Sequence, residues 1–358
     1  MNIISKKVKE SPKKIIEQNS TWHKCVFCDS RKLSTKIKPK SVDMILTSPP
    51  YPMVKMWDEL FKKLNPEITE ELINSNPLKA FELMNNELFK VYKECIKVLK
   101  DDGVVCINIG DATRTTNIFS LFPNHQKTIE FFQKNGFTQM PSIIWSKPTN
   151  SPNKFMGSGM LPIKPYVTLE HEYILIFRKK SRDFLTEEEK DNRAKSAFFQ
   201  HERNEWCSDI WKIKGVKQKN TNSSRERTAA YPLDIPYRLI NLYSVQNDTI
   251  LDPFGGTGTT AIAALGLKRN SISVEIEELF KEDIKNRILG SVNLVNELAI
   301  NRIEKARTVF KKNFKYFNYN LNIPVKTSQE QKIVIPLVKN ILFDDSTNTA
   351  NIEYCDNK

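Results

Sequence analysis

Ser48 stands in the run Thr47-Ser48-Pro49-Pro50-Tyr51, which joins a hydroxyl, two prolines and an aromatic ring within five residues. The run follows the apolar stretch 42–46, and the serine and prolines do not continue a strand. A buried strand therefore ends there in a stiff turn that offers a hydroxyl, free carbonyls and a ring face. Such a turn suits a planar base. Far downstream, Asp252-Pro253-Phe254-Gly255-Gly256-Thr257-Gly258-Thr259 follows the short apolar run 249–251 and opens the helical run 261–267. An acid at a strand end followed by glycines lets backbone approach a ligand closely, the arrangement of a nucleotide-like cofactor site.

Both turns need strands to carry them. Strand-like runs occur at 24–28, 42–46, 104–109, 141–145, 173–177, 249–251 and 271–276, and helical runs at 80–99, 125–135, 237–245 and 260–267 separate several of them. That alternation predicts an α/β fold, a mostly parallel sheet with helices on both faces. Between 147 and 227 the pattern fades into polar loops at 148–154 and 215–225, of the kind that carry function or disorder. Past residue 278, Ile288, Val292, Val295, Ala299, Ile303, Ala306 and Phe310 recur near the helical period, which predicts a long amphipathic helix packed back on the domain, with dimerisation as the alternative use of its face. From 318 onward the pattern assigns no role.

Taken together and in this order, the two motifs resemble the amino-group DNA methyltransferases that use S-adenosyl-L-methionine. The match is to the permuted subgroup in which the SPPY tetrapeptide precedes the cofactor glycines, and it runs from about 23 to 278. The resemblance implies a Rossmann-like sheet of seven strands, mostly parallel, with 141–145 and 173–177 as an antiparallel edge hairpin. It divides the chain into a catalytic half at 20–147, the hairpin strand and a loop-rich target-recognition region at 148–228, a cofactor half at 229–285, a C-terminal helix at 286–317 and a tail at 318–358.

The implied reaction moves a methyl group to the exocyclic amine of a base flipped out of duplex DNA. Such an amine is a poor nucleophile, because its lone pair is delocalised into the ring. Acceptors on its N–H groups pull the nitrogen toward tetrahedral geometry. The Ser48 side chain and the Pro49 carbonyl are assigned that task, Pro50 stiffens the turn, and Tyr51 offers a face for stacking. For the cofactor, Asp252, Phe254, Gly256, Thr257, Gly258 and Thr259 match the glycine-rich motif, and Thr47 is counted with them. Glu275 is assigned to the ribose, Asp29 to the adenine amine, and Tyr231 and Pro232 to the methionine side. Some relatives carry an acid at the end of the strand 104–109, whereas this chain has Asn108, with Asp111 three residues on. Asn108 accepts a hydrogen bond but takes no proton. Serine in the first place of the tetrapeptide favours cytosine N4, with adenine N6 as the alternative. The usual partner of such an enzyme is a restriction endonuclease acting on the same site, with no direct contact implied.

Composition agrees with a polyanionic partner: 55 Lys and Arg against 42 Asp and Glu give a net charge of +13. Candidate double-stranded DNA contacts are Lys212, Lys214, Lys217, Lys219, Arg225 and Arg227, and a second basic set is Arg178, Lys179, Lys180 and Arg182. The first eighteen residues hold no continuous apolar core, so neither a signal peptide nor a membrane span is expected and the cytoplasm is the expected location. Six scattered cysteines suit reduced thiols; Cys25 and Cys28 form a CxxC without a second pair, and no metal is expected. His171-Glu172 has no third ligand at useful spacing and is given a structural role. One rival class survives. Gly256 to Ala261 also fits a GxGxxA dinucleotide fingerprint with Glu275 downstream, as in an NAD-dependent oxidoreductase.

Overall fold

The computed structural model describes residues 19–116, 118–147, 161–215, 231–310 and 314–356. Among these, the strands in chain order are β1 (Ser20–Phe27), β2 (Val42–Thr47), β3 (Leu99–Ile109), β4 (Ala112–Thr115), β5 (Phe119–Phe122), β6 (Thr138–Gln139), β7 (Ile143–Ser146), β8 (His171–Arg178), β9 (Ile210–Lys212), β10 (Thr249–Asp252), β11 (Asn270–Glu275), β12 (Tyr316–Asn318), β13 (Ile323–Val325), β14 (Val338–Asp344) and β15 (Thr349–Tyr354).

Every strand-like run read from the sequence forms a strand, and these lie side by side in the order β1-β11-β10-β2-β3-β8-β7. From β1 to β3 the neighbours are parallel, while β8 runs antiparallel to both β3 and β7, so the edge hairpin is present. The sheet does not stop at seven strands. It has eleven, because β15 and β14 extend it beyond β1, β9 lies outside β7, and β6 pairs with β8.

The central strands are apolar on both sides because helices cover both faces. Ile45 of β2, Val105 and Ile107 of β3 and Leu175 and Phe177 of β8 belong to the core built with the helices Pro77–Val98 and Asn124–Lys134. Their alternate neighbours Met44, Leu46, Cys106, Ile174 and Ile176 pack with the helix Asp234–Tyr243 and with Ala263 and Ala264 of the helix Thr259–Gly266. Period-two alternation thus divides one run of apolar residues between two cores.

The predicted C-terminal helix is two helices, Lys281–Leu289 and Val292–Phe310, separated at Gly290-Ser291. Val295, Ala299 and Ala306 of the second are buried. Its close approach to the helix Thr259–Gly266 requires Gly266, since a Cβ there would stand 3.0 Å from that of Val295. The tail also acquires a place: β14 and β15 form a hairpin, and β15 pairs antiparallel with β1 from Ser20↔Glu353 to Lys24↔Thr349. Within the stretch 148–228, read as the edge hairpin strand and target-recognition region, the helices Glu187–Lys195 and Gln200–Trp206 contact this C-terminal region. Phe199 packs with Ala299, Ala306, Ile323 and Val325, and the Glu202 carboxylate accepts from Arg302 Nε at 2.6 Å in the interior.

Candidate active site

Register brings the chemistry to one edge of the sheet. Parallel pairing of β2 with β3 sets Thr47 beside Ile107, and β10 with β11 sets Asp252 beside Ser273. The β1–β11 pair sets Phe27 beside Glu275. The antiparallel strand β8 starts where β3 ends, Tyr173 opposite Ile109, and Ser146 pairs both with His171 and with Lys212. Both turns therefore meet at the carboxyl ends of the parallel strands. They open on one cavity of about 440 Å³, lined by Ser48 and Pro50 from the first turn and by residues from Asp252 to Thr260 from the second.

In the cofactor half, the carboxylates are committed to the protein itself. Asp252 is buried, and its Oδ1 accepts from the Thr47 hydroxyl at 2.7 Å and the Phe254 N–H at 3.0 Å; Oδ2 accepts from the Thr260 hydroxyl at 2.5 Å. The Tyr231 hydroxyl in turn meets Thr260. Burial raises the Asp252 pKa, against the opposing pull of the Thr260 and Thr47 hydroxyls. Glu275, also buried, accepts from the N–H groups of Gly256 at 3.0 Å, Ile276 at 3.0 Å and Glu277 at 3.1 Å, which fixes the glycine turn. Asp29 caps the short helix Ser30–Thr35 and takes Arg31 Nη2 at 2.7 Å. Burial acts to raise its pKa, but the Arg31 hydrogen bonds outweigh this and the net shift is downward. Arg31 also binds Glu87 at 2.7 Å.

Backbone forms the remaining wall. Gly256 and Gly258 have φ of +51° and +80°, a region costly for side chains, and a Cβ on Gly255 would fall 2.8 Å from that of Ser273. Opposite lies an apolar surface of Trp57, Leu60, Leu64, Leu88 and Val91. Of the residues assigned to the cofactor, Asp29, Asp252, Phe254, Gly256, Thr257, Thr259, Glu275 and Tyr231 line the cavity. Thr47, Gly258 and Pro232 are buried behind it, and Thr47 joins the two turns through Asp252.

In the catalytic half, polar groups form an open chain. Ser48 Oγ lies 2.9 Å from the Tyr51 hydroxyl, which donates to Glu172 Oε2 at 2.8 Å. Asn108 Nδ2 donates to the same Oε2 at 2.6 Å and lies 2.9 Å from the Tyr51 oxygen. Lys147, at the end of β7, pairs with Glu172 Oε1. Burial, and then the Glu172 charge, raises the Tyr51 pKa well above that of an ordinary phenol. Gly110 permits this approach, since a Cβ there would stand 3.1 Å from both Glu172 Cγ and Tyr51 Cε2. Asp111 is engaged elsewhere, with His125 Nδ1 at 2.8 Å.

Glu172, first read with His171 as structural, lies beside the serine turn through its bonds to Tyr51, Asn108 and Lys147. Its sequence signal is a charged residue opening an apolar strand, and only the antiparallel register shows that this end faces Ser48. Of the basic residues, Lys212 and Lys214 are exposed at the site edge, while Lys217, Lys219, Arg225 and Arg227 lie outside the described residues. The set Arg178 to Arg182 is at the opposite edge, since Arg178 pairs with Val104; Arg182 Nη1 is bound to Asp248 at 2.8 Å and Lys179 lies over Phe137. Cys25 is buried, which pushes its thiol up to about 12, and among the described residues no cluster of three or more metal-binding side chains occurs.

Comparison with known proteins supplies the context for this geometry. The family model described as DNA methylase, covering N6 and N4 enzymes, matches residues 42–286. Type II methyltransferase M.MthZI of Methanothermobacter thermautotrophicus is 50% identical over 319 residues, covering 87% of this chain and 90% of that protein. Type II methyltransferase M.MjaI of Methanocaldococcus jannaschii is 49% identical over 282 residues, covering 75% and 92%. Among solved structures, TTHA0409 of Thermus thermophilus, a candidate DNA modification methylase in complex with S-adenosyl-L-methionine, aligns with a TM-score of 0.58 at 27% identity over 75% of this chain and 94% of that one. The PvuII DNA methyltransferase shares the fold, with a TM-score of 0.52 at 19% identity over 75% of this chain and 92% of that one.

Proposed function

The chain belongs to the N6/N4 DNA methylase family, and on that premise we propose that it methylates the N4 amine of a cytosine flipped out of duplex DNA. Family membership makes it a DNA methyltransferase that uses S-adenosyl-L-methionine, and the oxidoreductase reading falls away. One observation carries the proposal: Ser48 and the Asp252 turn open on the same cavity, linked by the Thr47–Asp252 hydrogen bond.

The cavity's lining suits the cofactor. Trp57, Leu60, Leu64, Leu88 and Val91 line the cavity and would give adenine an apolar bed, while Glu275 and Asp29, in the same lining, are proposed for the ribose and the adenine amine and the glycine backbone for the amino-acid end. The bound sulfonium supplies an activated methyl group. Ser48 Oγ and the Pro49 carbonyl hold the target amine's hydrogens and orient its lone pair. Pro50, in the cavity wall, keeps the turn stiff, and Tyr51 stands one hydrogen bond from Ser48.

Serine at position 48 is an uncharged acceptor, the choice typical of cytosine N4 enzymes in this family, and it supports cytosine over adenine. Lys212 and Lys214 at the site edge, with the basic residues of 217–227, are proposed to hold DNA phosphates, which position the duplex without specifying sequence. We keep the division of the chain as a proposal, with 161–171 and 207–228 as the parts proposed for target recognition. The type II designation of the relatives supports a modification enzyme that shields sites from a cognate nuclease in the cytoplasm. No helix among the described residues is long and apolar enough to cross a membrane.

The test is to incubate the protein with S-adenosyl-L-methionine and unmethylated mixed-sequence DNA, digest to nucleosides and identify the product by mass spectrometry. N4-methylcytosine is expected. N6-methyladenine would overturn the choice of base while leaving the chemistry in place.

A further inference from the structure

An amine that has received a methyl group must lose a proton, and neither Ser48 nor Asn108 can keep one. Resting on the reading that Ser48 holds that amine, we propose that Glu172 is the terminal proton acceptor, reached through Tyr51. Glu172 thereby supplies from β8 the acid that the end of β3 lacks.

The hydrogen-bond directions carry the inference. The Tyr51 hydroxyl has one hydrogen, and the carboxylate of Glu172 only accepts, so that hydrogen points to Oε2 at 2.8 Å. Ser48 then donates to the Tyr51 oxygen at 2.9 Å; Asn108 Nδ2 stands 3.3 Å from Ser48 Oγ, so one lone pair of Ser48 faces Asn108 and the other is left for the amine. Asn108 Nδ2, at 2.6 Å from Oε2 and 2.9 Å from the Tyr51 oxygen, donates to both and fixes the order of the chain. Burial keeps the Tyr51 phenol protonated, as a relay donor must be.

After methyl transfer the cationic amine gives a proton to Ser48 Oγ, the Ser48 proton passes to Tyr51, and the Tyr51 proton passes to Glu172. One N–H and two O–H bonds break and three O–H bonds form. The positive charge on the amine and the negative charge on Glu172 disappear together. The titratable or charged groups contacting Glu172 are Lys147 from the end of β7 and Tyr51 from the turn; Asn108 and Gly110, within and just after the end of β3, are neutral. Lys147 pairs with Glu172, and its partial exposure offers the proton an exit to solvent.

Glu172 touches no substrate, so the test must separate a relay from a scaffold. Single-turnover methyl transfer to unmethylated plasmid DNA would be followed from about pH 3.5 to 8, which spans the ordinary carboxylate range, for wild type, Glu172→Gln, Tyr51→Phe and the double variant, alongside S-adenosyl-L-methionine affinity. Because Glu172 must be ionised to accept, the wild-type rate should rise with pH through one ionisation. Both single variants should lose on the order of 10²-fold in rate, lose that ionisation from the profile and bind the cofactor as wild type does. The double variant should be no slower than either. Glu172→Gln at the wild-type rate, or losses that multiply, would overturn the relay. Should Glu172→Gln fail to fold, Tyr51→Phe decides alone, since retention of the pH limb in it is equally fatal. A wild-type protein that methylates neither base would instead bring down the function on which the relay depends.

Discussion

The two turns treat their acids in opposite ways. Around the glycine turn, Asp252 and Glu275 spend their oxygens on Thr47, Thr260, Phe254, Gly256, Ile276 and Glu277, all groups of the protein itself. At the serine turn, Glu172 gathers hydrogens from three side chains and terminates a chain that starts at the cavity. An acid saturated by backbone and hydroxyl donors sets shape; an acid at the end of a hydroxyl chain can take up a proton. Carboxylates within one site are thus told apart by what donates to them.

That contrast breaks most readily at Ser48. Replacing it with alanine should lower methyl transfer by about 10²–10³-fold with cofactor affinity unchanged, as for loss of one transition-state acceptor; calorimetry beside single-turnover rates checks both halves. At Asp252 the two properties should fall together. Asp252→Ala strands the hydroxyls of Thr47 and Thr260 and the Phe254 N–H, at roughly 1–3 kcal/mol per buried unsatisfied group. Denaturant unfolding and cofactor titration should both register it, and a variant as stable as wild type would dissolve the contrast.

Gly255→Ala is a smaller disturbance in the same half. Its Cβ would sit 2.8 Å from that of Ser273 on β11, and the overpacking should cost about 1–3 kcal/mol and weaken cofactor binding before any effect on the pH profile. The smallest effect sharpens the comparison through pH. The folded-state pKa of Asp252 is raised by burial, so the unfolded chain releases this proton first, and its contribution to stability declines as pH rises from the ordinary carboxylate range through the raised value. Asp252→Asn removes that slope. The melting temperature of wild type relative to Asp252→Asn should be lower at pH 8 than at pH 4.

Strand placement was legible because buried strands in a parallel sheet read as short apolar runs, and 42–46, 104–109 and 249–251 are of that kind. The motif turns were legible because proline and glycine mark backbone geometry directly. Glu172 was hidden for a different reason: its place beside Ser48 depends on β8 running antiparallel to β3, a tertiary fact that local pattern does not encode. The tail was hidden because β14 alternates poorly, with two exposed residues between buried Val338 and Ile341. Arg182 shows what composition leaves open, since a basic cluster reads the same whether it faces solvent or, as here, pairs with Asp248 and Asp43.

The pairing of β15 with β1 reaches into the life history of the polypeptide. Ser20 and Glu353 are neighbours in the sheet although almost the whole chain separates them, and the other neighbour of β1 is β11, also late in sequence. On a ribosome, the strand that leads to Asp29 must wait for both. Such long-range closure is slow to form, and it ties assembly of the cofactor cavity to synthesis of the strand Thr349–Tyr354. A prematurely terminated chain would carry both motifs yet leave its first strand with an open edge, prone to pairing with other chains.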